Sequence, residues 1–274
     1  MGMLWKGGAS LEATIMDCRL FYRYQPKEDA SAPTLLLLHG WGCDGSIFSF
    51  IEDGFRDMAS FVTVDFPGHG KSGEPPVPWG VGEYAEQIYQ LLRQLSIQKV
   101  SVIAHSFGGR VAVYLASKHP EMVEKMVVTG GAGIKPPVSQ RQSKRQRRYK
   151  RYQRILSAFK KCRLLAPLVE KWQAKLRKRY GSADYNRLSD GMRQTFVKVI
   201  SEDLFPMLKT IQAPTLLVWG SEDTETPLWM GQQMEQQIPD AGLVVFEGRT
   251  HFAFVEEWQR FLVIVKAFMK GDGR

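Results

Sequence analysis

One short turn, Ala104-His105-Ser106-Phe107-Gly108-Gly109, restricts the fold of this chain more tightly than any other segment. Val100-Ser101-Val102-Ile103 before it reads as a short buried strand. Arg110 to Lys118 after it reads as a helix that stops at His119-Pro120. A strand that feeds a helix through so few residues holds the serine between them in strained backbone geometry, with its hydroxyl exposed. Strand and helix can pass that closely only if the residues two before and two after the serine are small. Here they are Ala104 and Gly108. Glycine is the usual residue at the first of these positions, and alanine is the mildest departure from it.

The runs around this turn give the fold class. Thr34–Leu38, Phe61–Val64, Met126–Thr129, Thr215–Trp219 and Leu243–Phe246 are short and apolar throughout. Strands buried on both faces of a parallel sheet read this way. Arg19–Tyr24 alternates, as an edge strand of an antiparallel start would. Tyr84, Ile88, Leu91, Leu92 and Leu95 share one face of a helix, and a last helix is expected over roughly 256–270. We expect an α/β fold, a mostly parallel central sheet flanked by helices. The 274 residues suffice for one large α/β domain or two small ones.

The alternation stops after Met126–Thr129. Gly130 to Gly133 and Pro136-Pro137 punctuate the chain, and three amphipathic stripes follow, the third through Met192, Thr195, Phe196, Val199 and Ile200. Residues 135–200 are therefore expected to form a helical cap, with 1–134 and 201–274 as the core. Charge separates the two. Residues 135–179 hold seventeen Lys and Arg against Glu170 alone, and the remaining 20 basic and 27 acidic residues leave the rest of the chain at −7. A basic stretch of this kind is either a solvated outer face or a field that draws an anionic partner. On the second of these readings the partner at the basic cap is an acyl-carrier protein or a coenzyme A thioester. Nucleic acid is not expected, because no recognition fold accompanies the charge.

A serine hydroxyl is a poor nucleophile at neutral pH and needs a base, with a third group to orient that base. Loops at the carboxyl ends of parallel strands converge on one edge. Two such loops, Gly220-Ser-Glu-Asp223 to Pro227 and Glu247-Gly-Arg-Thr-His251, would bring Asp223 and His251 to Ser106. Glu222 and Glu225 compete with Asp223 for the acid, and the spacing to Pro227 favours Asp223. A fourth loop, His39-Gly-Trp41-Gly42, would aim the Trp41 N–H inward beside that of Phe107, two donors for a developing oxyanion. Of the other histidines, His39 and His69 are expected to brace glycine turns, His105 to point away from the nucleophile, and His119 to end a helix. Asp65 is expected to tie down a loop.

With these loops in place the chain resembles the α/β-hydrolase superfamily. The matching residues are His39–Gly42, Asp65-Phe-Pro-Gly-His-Gly-Lys-Ser72, Ala104–Gly109, Trp219-Gly-Ser-Glu-Asp223 with Pro227, and Gly248-Arg-Thr-His251. The resemblance covers nearly the whole length apart from the insert. It implies a Ser106 nucleophile, a His251 base, an Asp223 orienter and a cap over the site. Among members the chain looks most like carboxylesterases of the pimeloyl-carrier methyl ester esterase type. Dehalogenases and epoxide hydrolases of the superfamily carry Asp where Ser106 stands, which argues against both.

The sequence thus leads us to expect a serine hydrolase that cleaves an acyl ester or thioester. A cofactor-free lyase or C–C bond hydrolase on the same triad is the alternative, and a non-catalytic binding protein is the rival from another class. No cofactor or metal is expected, since no acid, His or Cys cluster has ligand spacing. No apolar run approaches the ~20 residues of a transmembrane helix. Cys18, Cys43 and Cys162 are too scattered for a disulfide framework, so a reduced, cytoplasmic setting is expected.

Overall fold

The computed structural model describes residues 9–29, 31–135 and 188–271. Its centre is an eight-stranded sheet in the order β1-β2-β4-β3-β5-β6-β7-β8. The strands are β1 Ala9–Ile15, β2 Cys18–Gln25, β3 Thr34–Leu38, β4 Ser60–Asp65, β5 Val100–His105, β6 Val123–Thr129, β7 Thr215–Gly220 and β8 Ala241–Phe246. β1 and β2 pair antiparallel, as do β2 and β4, and every other pairing is parallel.

Side chains along the central strands alternate between two separate apolar clusters. Leu36, Leu38, Val102, Ala104, Met126, Val128, Leu217 and Trp219 join one cluster, whereas Leu35, Leu37, Ile103, Val127, Leu216 and Val218 join the other. With both faces covered, a continuous apolar run is stable where an alternating one would bury polar groups. Helices α2 (Val81–Gln94), α3 (Phe107–Lys118) and α6 (Trp229–Gln237) pack on the first face, and α1 (Ser49–Phe55), α7 (Ala253–Glu256) and α8 (Trp258–Lys270) cover the second. α2 starts where Glu83 Oε2 accepts the Gly80 N–H at 2.8 Å, and it buries Tyr84, Ile88, Leu91 and Leu92 on one stripe.

Three elements differ from the sequence reading. The antiparallel edge is β1, and β2 lies inside the sheet between β1 and β4. β8 is an edge strand whose residues other than Phe246 are half-buried or exposed, because it has a neighbour on one side only. The last helix is broken at Glu257, whose φ of −121° and ψ of 42° separate α7 from α8.

Most of the expected cap, residues 136–187, lies outside the described residues. Its described end contains α4 (Asp190–Ser201), capped by the Ser189 hydroxyl, which accepts the Met192 N–H at 3.1 Å. A four-residue α5 (Phe205–Leu208) follows. α4 buries Met192, Thr195 and Val199, one turn apart, while Val197 and Ile200 face outward. Thr195 Oγ1 accepts the Trp79 N–H at 3.2 Å, and Glu202 Oε1 accepts the Val81 N–H at 3.0 Å, so this helix is fastened to the start of α2.

Register sets the site. Leu38 pairs with Ala104, His105 with Thr129, Thr129 with Val218, and Gly220 with Phe246. The last residues of β3, β5, β6, β7 and β8 therefore lie side by side, and the loops after them share one edge. Gly108 is indispensable to this packing, since a Cβ on it would lie 2.0 Å from the Leu38 carbonyl oxygen. Gly108→Ala should therefore lower the unfolding free energy by about 1–3 kcal/mol, the usual range for forcing volume into a packed site. Gly242→Ala, where an added Cβ meets nothing within 4 Å, should leave the thermal midpoint nearly unchanged. Equal midpoints for the two variants in a thermal melt would contradict this account of the turn.

Candidate active site

Ser106 stands between β5 and α3 with φ +52° and ψ −109°, a backbone region that L-residues rarely enter. Strain of this kind costs on the order of 1–3 kcal/mol and persists only where the surroundings enforce it. Here they do. The Ser106 N–H donates to Thr129 O at 3.0 Å, and the Ser106 carbonyl accepts from the Gly109 and Ala132 N–H groups at 3.0 and 3.2 Å.

Asp223 leaves the end of β7 and meets His251 on the loop after β8, with Nδ1 2.8 Å from Asp223 Oδ2. The approach of the two loops depends on Gly220, where a Cβ would lie 2.2 Å from Arg249 O and 2.3 Å from Thr250 O. Asp223 Oδ1 also accepts the Glu225 and Thr226 N–H groups, each at 2.9 Å. Burial opposes the charge on this carboxylate, but the hydrogen bonds from His251 and Thr226 outweigh it and hold the group below the usual carboxylate range. An Asp held ionised at this position accepts the Nδ1 proton of His251 and leaves Nε2 as the ring nitrogen turned away from it.

Two neighbours complete the surroundings of His251. Thr226, which sequence reasoning passed over, places its hydroxyl 2.8 Å from Asp223 Oδ2, 2.9 Å from Gly130 O and 3.2 Å from His251 Nδ1. Its one signal in the sequence is its place just before Pro227. Glu225, a rival for the acid role, lies across the ring from Asp223 with Oε2 3.7 Å from His251 Nε2. Among the described residues the Ser106 hydroxyl has no hydrogen bond to Nε2. Such contacts are often long in ligand-free sites and tighten when substrate binds.

Trp41 follows the end of β3 and Phe107 opens α3. Among the described residues neither of their backbone N–H groups has a hydrogen-bond partner. The two rings lie 5.2 Å apart, and Trp41 also touches His69 at 4.7 Å and Phe196 of α4 at 5.0 Å, ring centre to ring centre. α4 is thereby tied to the loop that carries the Trp41 N–H.

The remaining histidines and Asp65 are structural. His39 accepts the Phe66 N–H at 2.9 Å and sits 2.7 Å from Gly40 O, and burial lowers its pKa to about 3, so it braces the loop as a neutral ring. His69 lies 3.1 Å from Pro67 O. His119 caps the end of α3 and stacks on Tyr89 at 3.8 Å. Asp65 accepts the Gly45 and Lys71 N–H groups at 2.8 and 2.9 Å, tying two loops together. His105 is closer to the site than the sequence suggests. Its ring is 4.7 Å from that of His251 and 3.1 Å from Thr129 O, and burial lowers its pKa to about 3. A neutral ring there packs against His251 without adding charge. Among the described residues no group of acids, His or Cys could hold a metal ion, and no helix is long and apolar enough to cross a membrane.

Comparison with known proteins agrees with this fold. The family model described as alpha/beta hydrolase fold matches residues 33–257. A pimeloyl-[acyl-carrier protein] methyl ester esterase of Chromobacterium violaceum is 26% identical over 240 residues, covering 84% of this chain and 91% of that protein. A 2-hydroxymuconate semialdehyde hydrolase of Pseudomonas putida is 26% identical over 257 residues, covering 90% and 91%. The crystal structure of a hydrolase from Pseudomonas aeruginosa superposes with a TM-score of 0.72 at 24% identity, over 96% of this chain and 98% of that one, a likeness of fold.

The Asp223 charge has a measurable consequence. Its carboxyl is depressed in the folded state, so its stabilisation is present above the unfolded value of about 3.9 and is lost as pH falls through the lower folded value. In denaturant titrations the parent protein should lose more stability than Asp223→Asn between about pH 5 and pH 2. Parallel pH profiles would contradict the hydrogen-bonded, ionised state assigned to Asp223.

Proposed function

This chain belongs to the alpha/beta hydrolase family, and on that premise we propose that it is a serine hydrolase that cleaves a carboxylic ester or thioester. In this reading Ser106 attacks the acyl carbonyl while His251 Nε2 takes the hydroxyl proton. Asp223 stabilises the resulting imidazolium without taking its proton. The N–H groups of Trp41 and Phe107 hold the oxyanion, and losing one such donor typically costs about 10²–10³ in rate. His251 then returns the proton to the leaving group. A water deprotonated by the same nitrogen releases the acid from Ser106.

The observation that carries this reading is the buried 2.8 Å contact of His251 with Asp223, on loops that share one sheet edge with the strained Ser106 turn. The free Trp41 and Phe107 N–H groups support the oxyanion role. A cytoplasmic enzyme with residues 135–200 roofing the site is the arrangement we propose. The seventeen basic side chains of 135–179 suit an anionic carrier of the acyl group, such as an acyl-carrier protein or coenzyme A. The Chromobacterium relative, named for an acyl-carrier ester, favours that partner.

A second reading, C–C bond hydrolysis on the same three side chains, is favoured by the Pseudomonas putida relative, which is equally similar. A panel of p-nitrophenyl esters, one thioester and one vinylogous diketone separates the two by which substrate has the highest kcat/KM.

Ser106→Ala should reduce kcat for the preferred substrate by at least about a thousandfold, and His251→Ala and Asp223→Asn should be crippled but folded. Residues of a triad act as a unit, so combining the changes should cost little more than the worst single one. Retention of more than a tenth of the rate by Ser106→Ala would exclude the mechanism.

A further inference from the structure

The side of the imidazole away from Asp223 holds a second carboxylate that the hydrolytic mechanism does not use. Glu225 Oε2 lies 3.7 Å from His251 Nε2, and its side chain is 68% exposed where the Asp223 side chain is fully buried. It does not orient the ring, since Asp223 and Thr226 already occupy Nδ1. Among the described residues no Lys or Arg pairs with it. Among the described residues its own stretch of chain does nothing to neutralise it. Residues 211–257 carry eight acidic side chains against Arg249 alone, and Arg249 is engaged by Glu257 at 2.6 Å.

The position of this charge matters because of what passes Nε2. A leaving atom must come within about 3 Å of that nitrogen to take its proton. A substituent two or three bonds further along the leaving group can then come within about 5 Å of the Glu225 carboxylate, which lies 3.7 Å from the same nitrogen. The Phe252 ring, partly exposed, stands 5.5 Å from the same imidazole ring that Glu225 approaches. A carboxylate beside an aromatic ring suits a weakly hydrated cation, such as an alkylammonium group, better than it suits a neutral or anionic one.

We infer that Glu225 is a specificity-determining residue, which makes the leaving-group side of the site select substrates with a positively charged alcohol or amine portion and reject those with a negative one. The inference rests on the reading of Ser106 and His251 as nucleophile and base, and it adds a substrate class to that reading. It is compatible with an anionic carrier, because a carrier's charge lies far from the scissile bond whereas Glu225 acts on the atoms next to it. Two unit charges about 5 Å apart shift an equilibrium about fourfold even at the dielectric of bulk water, and more at a protein surface. Salt weakens the effect.

The test compares butyrylcholine with its uncharged isostere, 3,3-dimethylbutyl butyrate, in the parent protein and in Glu225→Gln. The parent's kcat/KM should favour the choline ester by at least about fourfold at low salt. In Glu225→Gln the ratio should collapse to about one, and 0.5 M salt should bring the parent's ratio towards the same value. An unchanged ratio in Glu225→Gln overturns the inference.

A second measurement does not depend on turnover. Choline and 3,3-dimethylbutanol are titrated against the full chain while the His251 ring resonances are followed by NMR. Tighter binding of choline in the parent, lost in Glu225→Gln, supports the assignment. Equal affinities in the parent overturn it, whatever the enzyme hydrolyses. If ester hydrolysis survives Ser106→Ala while choline still binds selectively through Glu225, the Ser106 nucleophile reading fails and takes the leaving-group role with it, and only cation binding at Glu225 stands.

Discussion

The strained turn at Ser106 is the constraint from which the rest of this edge follows. A serine held at φ +52° between β5 and α3 is tolerable only because strand and helix are both fixed by burial. Val102, Ile103 and Ala104 on one side, and Val111, Ala112, Val113, Leu115 and Ala116 on the other, are all buried. Each large apolar side chain of this kind contributes about 1.5–3 kcal/mol on burial, so the flanking elements outweigh a strain of about 1–3 kcal/mol several times over. The same close approach brings Gly108 onto the Leu38 carbonyl, which fixes where the His39–Gly42 loop leaves β3. The position of Ser106 and the path of the loop that carries Trp41 are therefore parts of one packing solution.

Much of this was legible in the sequence, for local reasons. The Ser106 turn shows itself because a small residue, a serine and a glycine lie between runs of different period. Asp223 and His251 show themselves because each follows an apolar run that must end at the same sheet edge. The strand before Ser106, the helix after it and the α2 stripe fall where the residues predict. The rest depends on information that a local pattern does not hold. Ala9–Ile15 is too polar and too exposed to stand out as a strand, so β2 read as the edge. β8 is as apolar as its inner neighbours, and only the sheet order reveals that one of its sides is uncovered. The geometries of Thr226 and Glu225 depend on side chains that meet across loops after β6, β7 and β8, and no spacing within one loop encodes them.

Charge is organised differently on the two parts of the chain. Around the base, neutral His105 and His39 add none, while Asp223 sits ionised within a close set of donors. Glu225 adds an exposed negative charge on the far side of Nε2, in a segment that is acidic throughout. The strongly basic 135–179 stretch lies elsewhere in the chain. A site that draws anionic bodies over long range yet prefers a cationic leaving group combines two fields of different reach, one acting over a Debye length of about 8 Å and one acting at contact.

The central claim is that Ser106 is a nucleophile activated by His251. It is tested most directly by intact-protein and peptide mass spectrometry after exposure to a fluorophosphonate. The account predicts one adduct per chain, carried on Ser106, absent in Ser106→Ala and formed much more slowly in His251→Ala. An unreactive parent protein, or an adduct mapped to any other residue, would contradict it.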